Sequence, residues 1–201
     1  VKVETRAAVA PLLTRFRTLA PAHRVSQART FNWLAHAHTE AEATRARREG
    51  TDFDRERFYE HMQHRLSRFG CGEDKIASRG YALDDCGHTR WSEMDIYRLH
   101  EEPTGRGMYE RTRRFREVAR GALERMYAER EEPPGDLLHV TCTGYACPSA
   151  AQELVAAKRW GDRTRVTHVY HMGCYAAMPA LRIASGFVAS ARGLRARGSP
   201  V

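Results

Sequence analysis

The sequence predicts an α/β protein in which helices pack on a mixed, largely parallel sheet. Three observations carry that expectation. After Pro133-Pro134-Gly135 the chain alternates short apolar runs with helical stretches in the order strand, helix, strand, helix. Two strands joined by a helix are parallel neighbours, because a parallel pair needs a crossover of that length. Upstream, apolar residues recur at helical spacing in three separate stretches.

Taken in order, Leu12 to Leu19 reads as a short strand ended by Ala20-Pro21. Ser26 is an N-cap for a helix carrying Phe31, Leu34, Ala35 and His38 on one face. A charged stretch from Glu40 to Arg57 leads into a second helix over about Asp54 to Phe69. Phe58, Met62 and Leu66 share one side of it, and Gly70 and Gly72 stop it. Lys75 to Glu102 mixes short extended pieces with turns. Tyr109 to Arg130 is an amphipathic helix whose stripe is Phe115, Val118, Ala119, Ala122, Leu123, Met126 and Tyr127. Leu137 to Cys142 suits a buried strand, Ser149 caps a helix through Lys158, Arg165 to Tyr170 is the next strand, and a last helix runs to about Ala191.

Composition narrows the function. A length of 201 residues fits one domain or a little more. The longest uncharged stretches fall well short of the roughly 20 apolar residues of a membrane span. The chain opens at Val1 rather than a methionine, which reads as a lost original start, and shows no charged start followed by an apolar run, so the expected location is cytoplasmic. The net charge of +8 is nearly all arginine, the only lysines being Lys2, Lys75 and Lys158. Those arginines are interleaved with acids, as in Arg45 to Arg57 and Arg111 to Arg130, which suits solvated helix faces better than a nucleic-acid surface. Five cysteines without a CxxC pair argue against a disulfide framework and a zinc ribbon, and the pairs His36/His38 and His168/His171 have no cysteine or carboxylate beside them at ligand spacing. No metal site is expected.

Chemistry concentrates in His171-Met172-Gly173-Cys174-Tyr175-Ala176-Ala177, between the second strand and the last helix. A cysteine there lies near unpaired N–H groups and the positive end of a helix dipole, which favours a nucleophilic thiolate. Gly173 and the two alanines allow close backbone approach, as a carbonyl-binding pocket requires. A small residue filling a tight junction is the other reading of Cys174, and spacing alone does not choose between them.

The stretch His139-Val140-Thr141-Cys142-Thr143-Gly144-Tyr145-Ala146-Cys147-Pro148-Ser149, with Tyr170-His171-Met172-Gly173-Cys174-Tyr175-Ala176 and Leu181-Arg182-Ile183-Ala184, resembles type III polyketide synthases, the chalcone synthase family of the thiolase superfamily. The first segment is similar to that family's T-S-G-x-x-x-P loop, and the second to its Q-G-C motif with L-R-x-A in the following helix. Pro21 to Gln27 and Ile76-Ala77-Ser78-Arg79 look like the family's early strand exit and I-x-x-R region, so the resemblance spans roughly Leu12 to Ala191. It implies the N-terminal half of a thiolase-like layered α/β fold over residues 1–201. The C-terminal half would come in cis or as a second chain.

By that resemblance Cys174 is the nucleophile that takes a starter acyl group from coenzyme A as a thioester, splitting acyl transfer into two easier steps. Cys142, Thr143 and Tyr175 match wall positions of the substrate cavity. Cys147 matches a residue that reaches across a homodimer interface. Arg79 matches an arginine near the coenzyme A phosphates, though a plain surface arginine is an equal reading. The implied substrates are acyl-CoA and malonyl-CoA, with no tightly bound cofactor, no metal, no nucleic acid and no membrane, and the product is a pyrone, resorcinol or related polyketide.

Two departures stand out. Where the family often has a glycine pair after the cysteine, this chain has Ala176-Ala177-Met178-Pro179, and Pro179 removes a helical hydrogen bond unless the helix begins near Met178. The family's catalytic histidine and asparagine follow the cysteine, whereas here the last histidine is His171 and the only asparagine is Asn32. Decarboxylative condensation then needs donors from the other half to stabilise the enolate. The sequence stops at Gly198-Ser199-Pro200-Val201, where the next strand of the sheet is expected. A ketoacyl synthase III-like or hydroxymethylglutaryl synthase-like condensing enzyme is one alternative, and a non-catalytic partner subunit of the same fold is another.

Overall fold

The computed structural model describes residues 11–130, 132–170 and 172–196, and side chains as far as Ala191. The strand expected after Val201 and the side chain of His171 lie outside them. The chain forms two compact units, residues 19–114 and residues 1–18 with 115–201. Both mix helices with a small sheet.

In the 19–114 unit, β1 (His23–Ser26) pairs antiparallel with β2 (Ser78–Tyr81), His23 opposite Tyr81 and Ser26 opposite Ser78. Ser26 ends β1 and caps α1 (Gln27–Glu49), its hydroxyl accepting from the Arg29 amide at 3.2 Å. The helix runs well past the Glu40 at which the sequence reading placed a charged connection. Ala43, Thr44 and Ala46 are buried along this extension, where alanine favours helix and arginine covers the exposed side. Glu40 itself is buried and paired with Arg47 at 3.4 Å and with Arg55 at 2.6 Å. Gly50 adopts a left-handed φ of 67° and returns its N–H to Ala46, which ends the helix.

Asp54 then caps α2 (Arg55–Phe69) by accepting from the Arg57 amide, and Phe58, Met62 and Leu66 form its half-buried side. The core of this unit is Trp33, Ala37, Met94 and Leu99, flanked by Leu34, Trp91 and Tyr97. Asp85 organises the irregular stretch that follows β2. Its carboxylate, almost wholly buried, accepts three backbone N–H groups, from Asp95 and Ile96 at 2.8 Å and from Tyr97 at 3.1 Å.

The division between the units falls within α3 (Met108–Met126), whose amphipathic stripe is half-buried throughout. The expected helix end at Arg130 is shortened, since Tyr127 to Arg130 turn out of it. β3 (Asp136–Thr141) and β4 (Arg165–Tyr170) pair in parallel, with Leu137 opposite Val166, His139 opposite His168 and Thr141 opposite Tyr170. The crossover is α4 (Ala150–Ala157), and α5 (Ala177–Ala196) follows β4 and packs against β3. Leu137, Ala151, Leu154, Val155 and Trp160 are the core of this unit, with Leu123 of α3 and Tyr127 just beyond its end packed on it. Burying a Leu or Val side chain stabilises by about 1.5–3 kcal/mol, so this cluster holds crossover and strands together.

The expected strand at Leu12 to Leu19 is absent. Those residues are irregular, and Leu12 and Phe16 are more than four-fifths exposed. Arg15 holds a left-handed φ of 56°, which breaks an extended run, and residues 12–19 pair with no other strand. No helix of the described residues is long and apolar enough to cross a membrane.

Candidate functional site

The two segments singled out by sequence leave adjacent strands at the same edge. Thr141 and Tyr170 are the last residues of β3 and β4 and stand opposite each other, so the 142–149 loop and the 172–176 turn both start from the C-terminal end of a parallel pair. Open α/β sheets bind ligands at that end, because the helices that follow present unpaired N–H groups there.

The 142–149 loop is held by local bonds. Thr141 Oγ1 donates to the Thr143 carbonyl at 2.6 Å and accepts from the Thr143 amide at 3.2 Å. The Tyr145 hydroxyl donates to the Cys142 carbonyl at 3.3 Å. Gly144, at φ 75°, lies so close to the Phe115 ring that a Cβ there would overlap it. The Cys147–Pro148 peptide is cis, and the loop ends at Ser149 in a capping box with Gln152.

Cys174 sits in a single 3-10 turn, Gly173–Tyr175, between β4 and α5. Gly173 provides the left-handed φ of 68° that reverses the chain, and Ala176 N donates to Gly173 O at 3.2 Å. The helix begins at Ala177, and Ala180 N donates to Ala176 O. Pro179 therefore falls in the first turn, where an amide has no acceptor within the helix, and the expected conflict with the helix does not arise. The buried side chains at this junction are Ala176 and Ala180, whereas Cys174 and Tyr175 are exposed. A small residue filling a tight junction is thus the role of Ala176, not of Cys174.

Cys142, Thr143 and Cys147 are likewise exposed, so five of the six predicted site residues lie on one loop and one turn at one edge of the sheet, Cys174 and Tyr175 on the turn and the other three on the loop. Arg79 belongs to the other unit, on β2, where its Nε donates at 2.8 Å to Gln27 Oε1. Gln27 is fully buried and also donates to the Cys71 carbonyl at 2.6 Å. Arg79 thus braces the start of α1.

Sequence reasoning missed a polar cluster on the α4 face of the strand pair. His168 Nε2 is 2.7 Å from Ser149 Oγ, and the Tyr170 hydroxyl is 2.9 Å from His139 Nδ1. The Tyr145 and Tyr170 rings stand 5.4 Å apart. Burial, aided by His168, holds the His139 imidazole below its ordinary pKa, and burial pushes the Tyr170 phenol up. Both are therefore neutral near pH 7. Ser149 is no nucleophile here, being 1% exposed with its oxygen engaged by the Gln152 amide. The signal that would have found the cluster is the two-residue alternation His139/Thr141 and His168/Tyr170, which puts all four on one face once the strands pair in register. Among the described residues no group of three or more His, Cys, Asp or Glu side chains is placed to hold a metal ion.

Fold and site together define an α/β protein with exposed thiols on the loops leaving the C-terminal edge of a parallel strand pair. No protein-family model and no curated protein matches the chain, so its functional reading rests on these residues.

Proposed function

We propose that the protein is an acyltransferase of the type III polyketide synthase kind, the N-terminal half of a thiolase-like layered fold, which loads an acyl starter on Cys174. The observation that carries this reading is an exposed thiol in the turn between a parallel strand and the helix after it, beside a loop from the neighbouring strand. In the loading step the Cys174 thiolate attacks the thioester carbonyl of an acyl-CoA. A bond forms from Sγ to the acyl carbon, the tetrahedral intermediate collapses, and coenzyme A leaves as its thiolate. Cys142, Thr143, Cys147 and Tyr175 supply the wall against which the acyl group lies. Extension with malonyl-CoA and homodimer formation belong to the same proposal, with histidine and asparagine donors brought by a C-terminal half.

A non-catalytic subunit of the same fold is the second reading. It is favoured by the engagement of Asn32, which accepts from the Tyr59 hydroxyl at 2.5 Å and from Gln63 Nε2 at 3.2 Å in the 19–114 unit.

The test is intact-protein mass spectrometry after mixing with a panel of aliphatic and aromatic acyl-CoA thioesters, with Cys174→Ala as control. One added acyl mass, absent in the variant, is the expected result. An adduct that persists in Cys174→Ala overturns the assignment of the thiol, and no adduct from any thioester moves the weight to the non-catalytic subunit.

A further inference from the structure

Several contacts converge on the Tyr170 ring at the last position of β4. Its hydroxyl reaches His139 Nδ1 on β3 at 2.9 Å, and its ring stands 5.4 Å from that of Tyr145 at a tilt of 52°. Tyr145 in turn donates its hydroxyl to the Cys142 carbonyl. The phenol and the imidazole are both neutral near pH 7, so this is a hydrogen bond between two uncharged groups whose donor is set by the imidazole tautomer. Beyond Tyr170 the chain enters the 3-10 turn of Cys174 within three residues. One side chain thus bears on the neighbouring strand and on the 142–147 loop, and it is the last strand residue before the Cys174 turn.

We infer that Tyr170 and His139 are positioning residues whose hydrogen bond sets the 142–147 loop against the Cys174 turn. His168, two residues earlier on the same face, already ties β4 to the cap of α4 through Ser149. Loss of the Tyr170 bond therefore loosens the end of the strand without releasing the strand itself. The effect falls on the geometry of the exposed thiols and not on overall folding. Its meaning for acyl loading rests on Cys174 being the loading thiol, whereas the geometric coupling does not.

The experiment compares the full chain with Tyr170→Phe, His139→Leu, the double variant and His139→Asn. Tyr170→Phe keeps the ring and removes only the hydroxyl. His139→Asn keeps an acceptor near the Nδ1 position, and His139→Leu removes it. Two rates are read by residue-resolved mass spectrometry: iodoacetamide alkylation of Cys174 relative to Cys71, an exposed thiol of the other unit, and acylation of Cys174 by whichever acyl-CoA loads the unmodified protein. Tyr170→Phe and His139→Leu are each expected to shift the relative alkylation rate by about two- to tenfold, the range one ordinary hydrogen bond commands. The double variant then matches either single one, and His139→Asn stays near the unmodified protein. Unchanged rates in both single variants, or shifts that simply add in the double, overturn the coupling. A shift in alkylation with no acylation of the unmodified protein by any thioester upholds the coupling and overturns the loading reading.

Discussion

His168 Nε2 and Ser149 Oγ lie 2.7 Å apart, which joins the middle of β4 to the first turn of α4. The same oxygen accepts the Gln152 amide at 3.2 Å, so one buried hydroxyl both caps the crossover helix and ties it to the strand it connects. Replacing Ser149 with Ala removes both bonds. The expected cost is about 1–2 kcal/mol, the usual range for a lost cap. Ser149→Asp retains a capping oxygen and should recover part of it. Urea denaturation of the three proteins measures this, and a Ser149→Ala midpoint equal to that of the unmodified protein would show that the bond contributes nothing.

Gly144 combines a left-handed φ with contact against the Phe115 ring, so Gly144→Ala meets two separate penalties. The backbone term is about 1–2 kcal/mol for a residue bearing Cβ. The overlap with Phe115 adds to it. In a Phe115→Ala background the overlap disappears and only the backbone term remains. The alanine should therefore cost less there than in the unmodified chain, and equal costs in the two backgrounds would assign the whole effect to the backbone.

What was legible in the sequence is what local chemistry writes there. β4 was expected at Arg165 to Tyr170 and forms over those residues, where the β-branched Val166, Thr167 and Val169 and the aromatic Tyr170 favour an extended chain. Ser149 and Ser26 were readable as caps, since capping depends on residues three apart. The position of Cys174 followed from the strand and helix on either side of it. The Leu12 to Leu19 strand failed because a strand exists only with a partner edge, and a list of apolar residues does not say whether one is present. The length of α1 was underestimated because charge was read as connection, although Ala43 and Ala46 carry its buried face through that stretch. The His139–Tyr170 contact joins residues 31 apart in sequence and appears only when two strands adopt one register.

Asp85 replaces a regular element with a single carboxylate, and its loss should be felt throughout the loop it holds. Asp85→Ala leaves the amides of Asp95, Ile96 and Tyr97 without their acceptor. Each unsatisfied donor costs about 1–3 kcal/mol when water cannot reach it, so a loss of at least about 2 kcal/mol is expected in the 19–114 unit. Trp33 and Trp91 pack around the Tyr97 end of this loop, and their fluorescence reports the transition directly. A midpoint unmoved by Asp85→Ala would mean that water replaces the carboxylate.

The five thiols should not react alike. Burial, aided by the Asp85 carboxylate, pushes the Cys86 thiol up to about 11, while the other four cysteines are exposed. Since the thiolate is the reactive form, Cys86 is expected to alkylate last near pH 8 and to catch up only in denaturant. Residue-resolved mass spectrometry with iodoacetamide orders the rates. A Cys86 that reacts as fast as Cys71 in native buffer would show that the loop around Asp85 opens readily.

Acid should weaken the fold before any carboxylate is protonated. Burial holds His139 below the ordinary imidazole value of 6.5, with His168 adding to it, and burial does the same for His36, with Arg55 adding to it. Above 6.5 both imidazoles are neutral in the folded and the unfolded chain, so they leave stability unchanged with pH. Below it the unfolded chain binds protons that the folded chain refuses, and stability falls as pH drops from 6.5 towards the folded values. Between about pH 7.5 and pH 5.5 carboxylates stay charged, so the decline over that range belongs mainly to histidine. Urea midpoints across the range measure it. The decline should become shallower in His139→Asn, which cannot take up the proton but keeps an acceptor for Tyr170, and an identical slope in that variant would show that His139 is protonated as readily in the folded chain as in the unfolded one.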